Sequence, residues 1–105
     1  MNDALEPSAT TLVNVLTFDP ANQSALLELL RENTDTVITT LDGWISTSFI
    51  ASDDGERVVI VSQWRDIMAT QAMQGDPRMA AYFPKIVAFA SFDSIGGKIA
   101  YVRAA

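Results

Sequence analysis

Four consecutive apolar residues, Val58-Val59-Ile60-Val61, constrain this chain more than any other feature. A strand made of them is apolar on both faces instead of alternating, so its sheet meets water on neither side. A chain of 105 residues has room for one core. Helices can cover one face of the sheet, and something else must cover the other.

The flanking sequence supplies the rest of the order. Thr11 to Phe18 is β-branched and apolar and runs into Asp19-Pro20, where Asp caps and Pro occupies the first turn of a helix. From Pro20 to about Leu41, apolar Leu26, Leu27, Leu30, Val37, Ile38 and Leu41 recur at three and four, which predicts one amphipathic helix ended by Gly43. Trp44 to Ala51 and Arg57 to Trp64 flank Ser52-Asp53-Asp54-Gly55-Glu56, the signal of a β-hairpin. Asp66 caps a short helix through Met73. Asp76-Pro77 starts another that reaches about Phe89, with a kink or break at Pro84. Lys98 to Arg103 alternates after Gly96-Gly97 and reads as the last strand.

The order β-α-β-β-α-β predicts an α+β fold of the ferredoxin-like kind, a four-stranded antiparallel sheet with both helices on one face. The other face is expected to pack on a second subunit, giving a homodimer with a barrel-like interface. Residues 1–10 are expected as a flexible N-terminus and 11–105 as the single domain. There is no internal repeat.

Composition removes whole classes of function. With no cysteine there is no disulfide, thiolate nucleophile or cysteine-bound metal, and with no histidine there is no Ser-His-Asp triad and no histidine-ligated haem. The net charge is −6, and the basic residues Arg31, Arg57, Arg65, Arg78, Lys85, Lys98 and Arg103 are scattered, which argues against a nucleic-acid partner. No apolar run is long enough to cross a membrane, and Met1 to Thr10 lacks the form of a secretory signal, so the cytoplasm is the expected location. Asp53, Asp54 and Glu56 belong to a tight hairpin loop and lack the spacing of a calcium loop, so no metal site is expected.

The candidate site residues are few. Asn14 lies between Val13 and Val15 in an apolar strand, where an unpaired buried amide costs about 1–3 kcal/mol; a structural network or a ligand can supply its partner. Trp64 ends a strand, where an aromatic can close the core or line a cleft. Pairing Ala51 with Arg57 would put Trp44, Ser46, Ser48 and Ile50 on the face of Val58, Ile60, Ser62 and Trp64, making the two tryptophans cross-strand neighbours. Tyr82 and Phe83 present an aromatic helix face to core or pocket. Met68, Met73 and Met79 can form an adaptable wall, and Arg78 is a surface residue or a partner of Asp76.

Leu12-Val13-Asn14-Val15 with Asp19-Pro20-Ala21-Asn22-Gln23, then Asp42-Gly43-Trp44, Asp54-Gly55, Val58-Val59 and Ser62-Gln63-Trp64 resemble the antibiotic-biosynthesis monooxygenase family over roughly Thr11 to Phe83. The resemblance implies dimeric ferredoxin-like barrels with a cleft between helices and sheet. It also implies a monooxygenase that oxidises polycyclic, polyketide-like aromatics with O₂ and no metal, flavin or other cofactor. On it, Asn14 and Trp64 are the catalytic candidates, holding the substrate's oxygen atoms. Trp44, Ser48, Ile60, Met68, Tyr82 and Phe83 would bind an apolar or aromatic small molecule. Two positions depart from the family pattern. An asparagine often found four residues before the tryptophan is Ile60 here, and an arginine of the later helix aligns near Phe83. The iron-binding histidine of the haem-degrading branch falls near Tyr82, which leaves a tyrosinate as the one conceivable haem ligand. The alternative implied by these departures is a non-oxidative relative, a cyclase, isomerase or binding protein using the same pocket. A dimer without a ligand is a third reading.

Overall fold

A computed structural model describes residues 9–105. Strand β1 spans Thr10–Phe18, and Asp19-Pro20 ends it as the sequence predicts. The Asp19 carboxylate accepts from the Ala21 N–H at 2.9 Å, and Pro20 opens a 3₁₀ turn over Pro20–Asn22. The cap satisfies one of the N–H groups that a helix start leaves free. Helix α1 then runs over Gln23–Thr36, followed by a second 3₁₀ turn at Ile38–Thr40. The single helix expected to Leu41 is therefore three pieces. Thr34, Thr36, Thr39 and Thr40 each turn a hydroxyl back onto a carbonyl three or four residues earlier, a competition that weakens the end of a helix.

Strands β2, Trp44–Ala51, and β3, Arg57–Trp64, form the expected hairpin. Its loop is closed by Ser52 N–H to Arg57 O at 2.9 Å, with Gly55 at φ +76. Asp54 accepts from the Ser52 hydroxyl at 2.6 Å and the Glu56 N–H at 2.9 Å, which holds its carboxyl below the usual range. Helix α2, Ile67–Gln74, is capped by Asp66, which accepts from Ala69 N–H, and α3, Pro77–Val87, by Asp76, which accepts from Arg78 N–H. α3 continues through Pro84 for one more turn. Strand β4, Ala90–Gly97, completes the sheet, whose order is β2-β3-β1-β4 with every pairing antiparallel.

This is the expected α+β, ferredoxin-like sheet, with three corrections of detail. The last strand is Ala90–Gly97, not Lys98–Arg103; Ala90, Phe92 and Ser94 alternate with Ser91, Asp93 and Ile95, and Ala90 pairs with Phe18. Residues 98–105 carry no regular structure. Of the N-terminal stretch expected to be flexible, residues 1–8 lie outside the described residues, whereas Ala9 and Thr10 are buried. In the hairpin, Ala51 pairs with Val58 and not Arg57, so Phe49 faces Ile60 while Ser48 lies opposite Val61. A slip of one residue inverts the face, and it moves Ser48 to the other side of the sheet. An irregularity between Trp44 and Ser46 restores the phase, so Trp44 still pairs with Trp64.

Leu16 and Phe18 of β1, Val58 of β3, Leu26 and Leu30 of α1, and Ala90 of β4 form the buried core, with Ile86 of α3 packed against it. Helices α1 and α3 therefore share one face of the sheet. The opposite face carries Val13, Val15, Val59 and Val61 in direct register, flanked by Ile50 and Ile95, which are 56% and 68% exposed. At the far end of β3, Arg65 N–H donates to Gly43 O at 2.7 Å, and its guanidinium grips both carboxylate oxygens of Asp42 at 3.2 and 2.9 Å. This contact holds the Asp42 carboxyl below its ordinary range. Gly43 sits at φ +85, and a Cβ there would lie 2.6 Å from the Ala69 Cβ, so the turn that delivers Trp44 to the sheet requires glycine. Among the described residues no helix is long and apolar enough to cross a membrane.

Candidate functional site

On the helix-facing side of the sheet, direct register places Phe49, Ile60, Asn14 and Ser94 in one row across all four strands. The face is fixed by period two: Asn14 is two residues from buried Leu16, and Ser94 is two from Phe92, which packs on the core. The adjacent row toward the β3 end is Thr47, Ser62, Leu12 and Gly96, and beyond it lie Trp44, Trp64 and Thr10.

The helices cover this face unevenly. Leu16 and Val58 are fully buried, whereas Asn14, Leu12 and Ile60 are half-buried and Ser94 and Gly96 are exposed. α3 reaches over the β4 side through Phe83, whose ring meets Phe92 edge-on at 5.3 Å and 75° while remaining 52% exposed. The Asn14–Ser94 part of this face is therefore left partly uncovered beside α3. Leu12, Ile60 and Gly96 surround the Asn14–Ser94 pair, in which the Ser94 hydroxyl donates to Asn14 Oδ1, and Thr47, Ser62 and Thr10 lie in the rows beyond.

The two tryptophans pair with each other two rows from Asn14. Trp64 is 1% exposed, and its indole N–H donates to Ser62 Oγ at 3.0 Å. Trp44, half-buried, donates to Thr47 Oγ1 at 2.9 Å. Both N–H groups are thus occupied by neighbours in their own hairpin, as buried indoles require. Two other polar atoms are less well served: Thr10 Oγ1, opposite Trp64, and Asn33 Oδ1 of α1 are buried without a hydrogen-bond partner.

Of the residues anticipated as a set, Asn14 and Ile60 are direct cross-strand partners, Phe83 meets Phe92 two residues from Ser94, and Trp64 pairs with Trp44 two rows farther along the same face. Three do not join them. Ser48 faces away through the register slip described above. Tyr82 is one residue from Phe83, about 100° around the helix, and its hydroxyl donates to Glu32 Oε1 of α1 at 3.0 Å while Lys85 Nζ sits 5.2 Å from its ring. Its phenol is directed at α1. Met68 is 76% exposed on the outer side of α2, where it lines a surface groove of about 300 Å³ with Leu41, Asp42, Arg65 and Met73. Ser94 and Phe92 are absent from the sequence-based set, because that reading assigns residues 90–95 to no element. The alternation Ala90, Phe92, Ser94 was the signal available. Among the described residues no cluster of His, Cys, Asp or Glu could hold a metal ion.

The sequence profile of the family described as antibiotic biosynthesis monooxygenase matches residues 10–85, which includes every strand but β4. The chain belongs to the antibiotic biosynthesis monooxygenase family. The tetracenomycin-F1 monooxygenase of Streptomyces glaucescens is 39% identical to it over 77 residues, 73% of this chain and 69% of that protein. Among solved structures, the ActVA-Orf6 monooxygenase of Streptomyces coelicolor, in complex with nanaomycin D, superposes with a TM-score of 0.87 at 23% identity, covering 99% of each chain. SnoaB of Streptomyces nogalater, a cofactor-independent oxygenase, gives 0.77 at 15% identity over 90% of this chain and 96% of that one. At these identities the two structures bear on the fold alone.

Proposed function

We propose that this member of the family is a cofactor-independent monooxygenase that oxidises an anthrone-like or quinol-like aromatic with O₂ in the cleft between α3 and the sheet. The observation that carries the reading is one polar pair, Asn14–Ser94, set beside Leu12, Ile60 and Phe92 on a part of the sheet that the helices leave partly uncovered. Such a surface suits a flat polycyclic ring whose oxygen substituent needs a single fixed partner. The 39% identity to the tetracenomycin-F1 monooxygenase supports the same class of substrate.

The chemistry asks little of the protein. An anthrone that loses its acidic proton becomes an electron-rich anion able to pass an electron to O₂. Conversion of its CH₂ to C=O consumes one O₂ and releases one water, so the substrate supplies all the electrons. Asn14 donates to the developing oxyanion, and in an apolar cleft that contact is worth more than in water. Ile60 and Phe83, with Phe92 behind it, hold the rings and exclude water. Trp64, its N–H already given to Ser62, acts as the end wall that sets how far the ring system enters. The test is oxygen uptake by the purified chain with an anthrone and a dihydroquinone, no cofactor added, against autoxidation. Uptake above that background is expected, and its absence with both substrates would reject the reading.

One feature favours a rival. Ile60 is the direct cross-strand neighbour of Asn14, and Phe83 overhangs the same floor, so the family's additional polar groups are missing where they would matter. A cyclase, an isomerase or a binding protein would use the same cleft and turn over, or bind, equally well without oxygen.

The dimer completes the account of the sheet. Val13, Val15, Val59 and Val61 with Ile50 and Ile95 form a continuous apolar face opposite the helices, the kind of surface a two-fold copy buries. Light scattering is expected to give twice the 11.4 kDa chain mass. Val59→Asp, which would bury two charges across the two-fold, is expected to give the monomer with unchanged far-UV circular dichroism.

A further inference from the structure

We infer that Ser94 is a positioning residue for Asn14, fixing the amide so that its Nδ2 donors, not Oδ1, face the ligand. The inference rests on the reading of the cleft as a pocket for an aromatic oxygen compound. The two ends of an asparagine amide are nearly equal in shape and opposite in polarity, so an unconstrained Asn14 would serve donor and acceptor ligands alike. Direct register sets Ser94 opposite Asn14 on the helix-facing side, and its hydroxyl donates to Oδ1. On the other flank Ile60 offers no polar atom to compete for Nδ2. With Oδ1 engaged, the cleft presents N–H groups.

This polarity selects what the cleft holds. Two donors stabilise an ionised phenol or enolate and leave a neutral hydroxyl without an acceptor, so they lower the pKa of a bound acidic hydroxyl. Ser94 is exposed and on an edge strand, so replacing it leaves the core untouched. A role in folding alone would therefore be silent in a ligand's titration.

The experiment titrates a bound nitronaphthol, whose anion absorbs in the visible, in the wild type and in Ser94→Ala, Ser94→Thr and Ser94→Asp. The wild type is expected to lower the probe's pKa by roughly one unit from its value in buffer. Ser94→Ala is expected to lose most of that shift and to bind the anion about tenfold more weakly, since one pKa unit is a factor of ten. Ser94→Thr, which keeps the hydroxyl, is expected to retain it. Ser94→Asp can only accept, so it draws Nδ2 to itself, adds a charge, and is expected to raise the probe's pKa above the buffer value. A wild-type shift preserved in Ser94→Ala would overturn the proposal, as would a wild type that leaves the probe unbound or its pKa unmoved. The monooxygenase reading fails separately: a probe shift that depends on Ser94, with no oxygen uptake on an anthrone, keeps the positioning role and removes the oxidation.

Discussion

Asn14→Ala is expected to lower kcat/KM for oxygen uptake on an anthrone by roughly 10²-fold, the usual cost of losing one oxyanion donor. The side chain is half-buried, and its one side-chain partner, Ser94, is exposed and can turn to water. Thermal midpoint is therefore expected to move little, by the equivalent of about 1 kcal/mol or less. Asn14→Asp sharpens the point. It keeps the shape and the acceptor for Ser94 but replaces the two N–H donors with a carboxylate, which repels the substrate anion. Its activity is expected to fall at least as far as that of the alanine variant, and most steeply above the carboxylate's own pKa. An aspartate variant as active as wild type would show that Asn14 holds no developing anion.

Trp64→Ala carries the largest expected effect on stability, about 3–5 kcal/mol, from the removal of a fully buried large aromatic. That is a large part of the 5–15 kcal/mol available to an ordinary domain. The loss also strands the Ser62 hydroxyl, which accepts the indole N–H at 3.0 Å. Urea unfolding is expected to show a lower midpoint at similar slope. Trp64→Phe fills part of the volume and is expected to recover more than half of the loss. If Trp64→Ala unfolded at the wild-type midpoint, the indole would not be part of the packed end of the sheet.

The elements that announced themselves in the sequence were those with local chemistry. Asp19-Pro20, Asp66 and Asp76-Pro77 each mark a helix start, and each carboxylate accepts a backbone N–H as expected. The unbroken run from Val58 to Val61 marks a strand that is apolar on both faces, and Val58 packs in the core while Val59 and Val61 lie on the opposite face. What escaped depended on relations between distant residues. The hairpin register turns on one residue, and nothing in Ser52 to Glu56 distinguishes Ala51–Arg57 pairing from Ala51–Val58. The last strand was sought at Lys98 to Arg103 because that segment alternates in isolation, whereas Ala90 to Gly97 pairs along all of β1 from Thr11 to Phe18. The site followed the same division. Asn14 stood out as a lone amide in an apolar strand, while Ser94, eighty residues away, becomes its partner only when β1 and β4 are laid side by side. Tyr82 and Phe83 looked equivalent as neighbours, and the phase of α3 separates them: Phe83 meets the sheet and Tyr82 meets α1.

The central claim is that the chain moves an atom of O₂ into an aromatic substrate by itself. Turnover of an anthrone by the purified, cofactor-free protein under isotopically labelled dioxygen measures this directly. One labelled oxygen atom per quinone formed, at a rate well above autoxidation and reduced in Asn14→Ala, is the predicted result. An unlabelled product, or the same product formed at the same rate without oxygen, would contradict the account and identify the cleft as that of a non-oxidative relative.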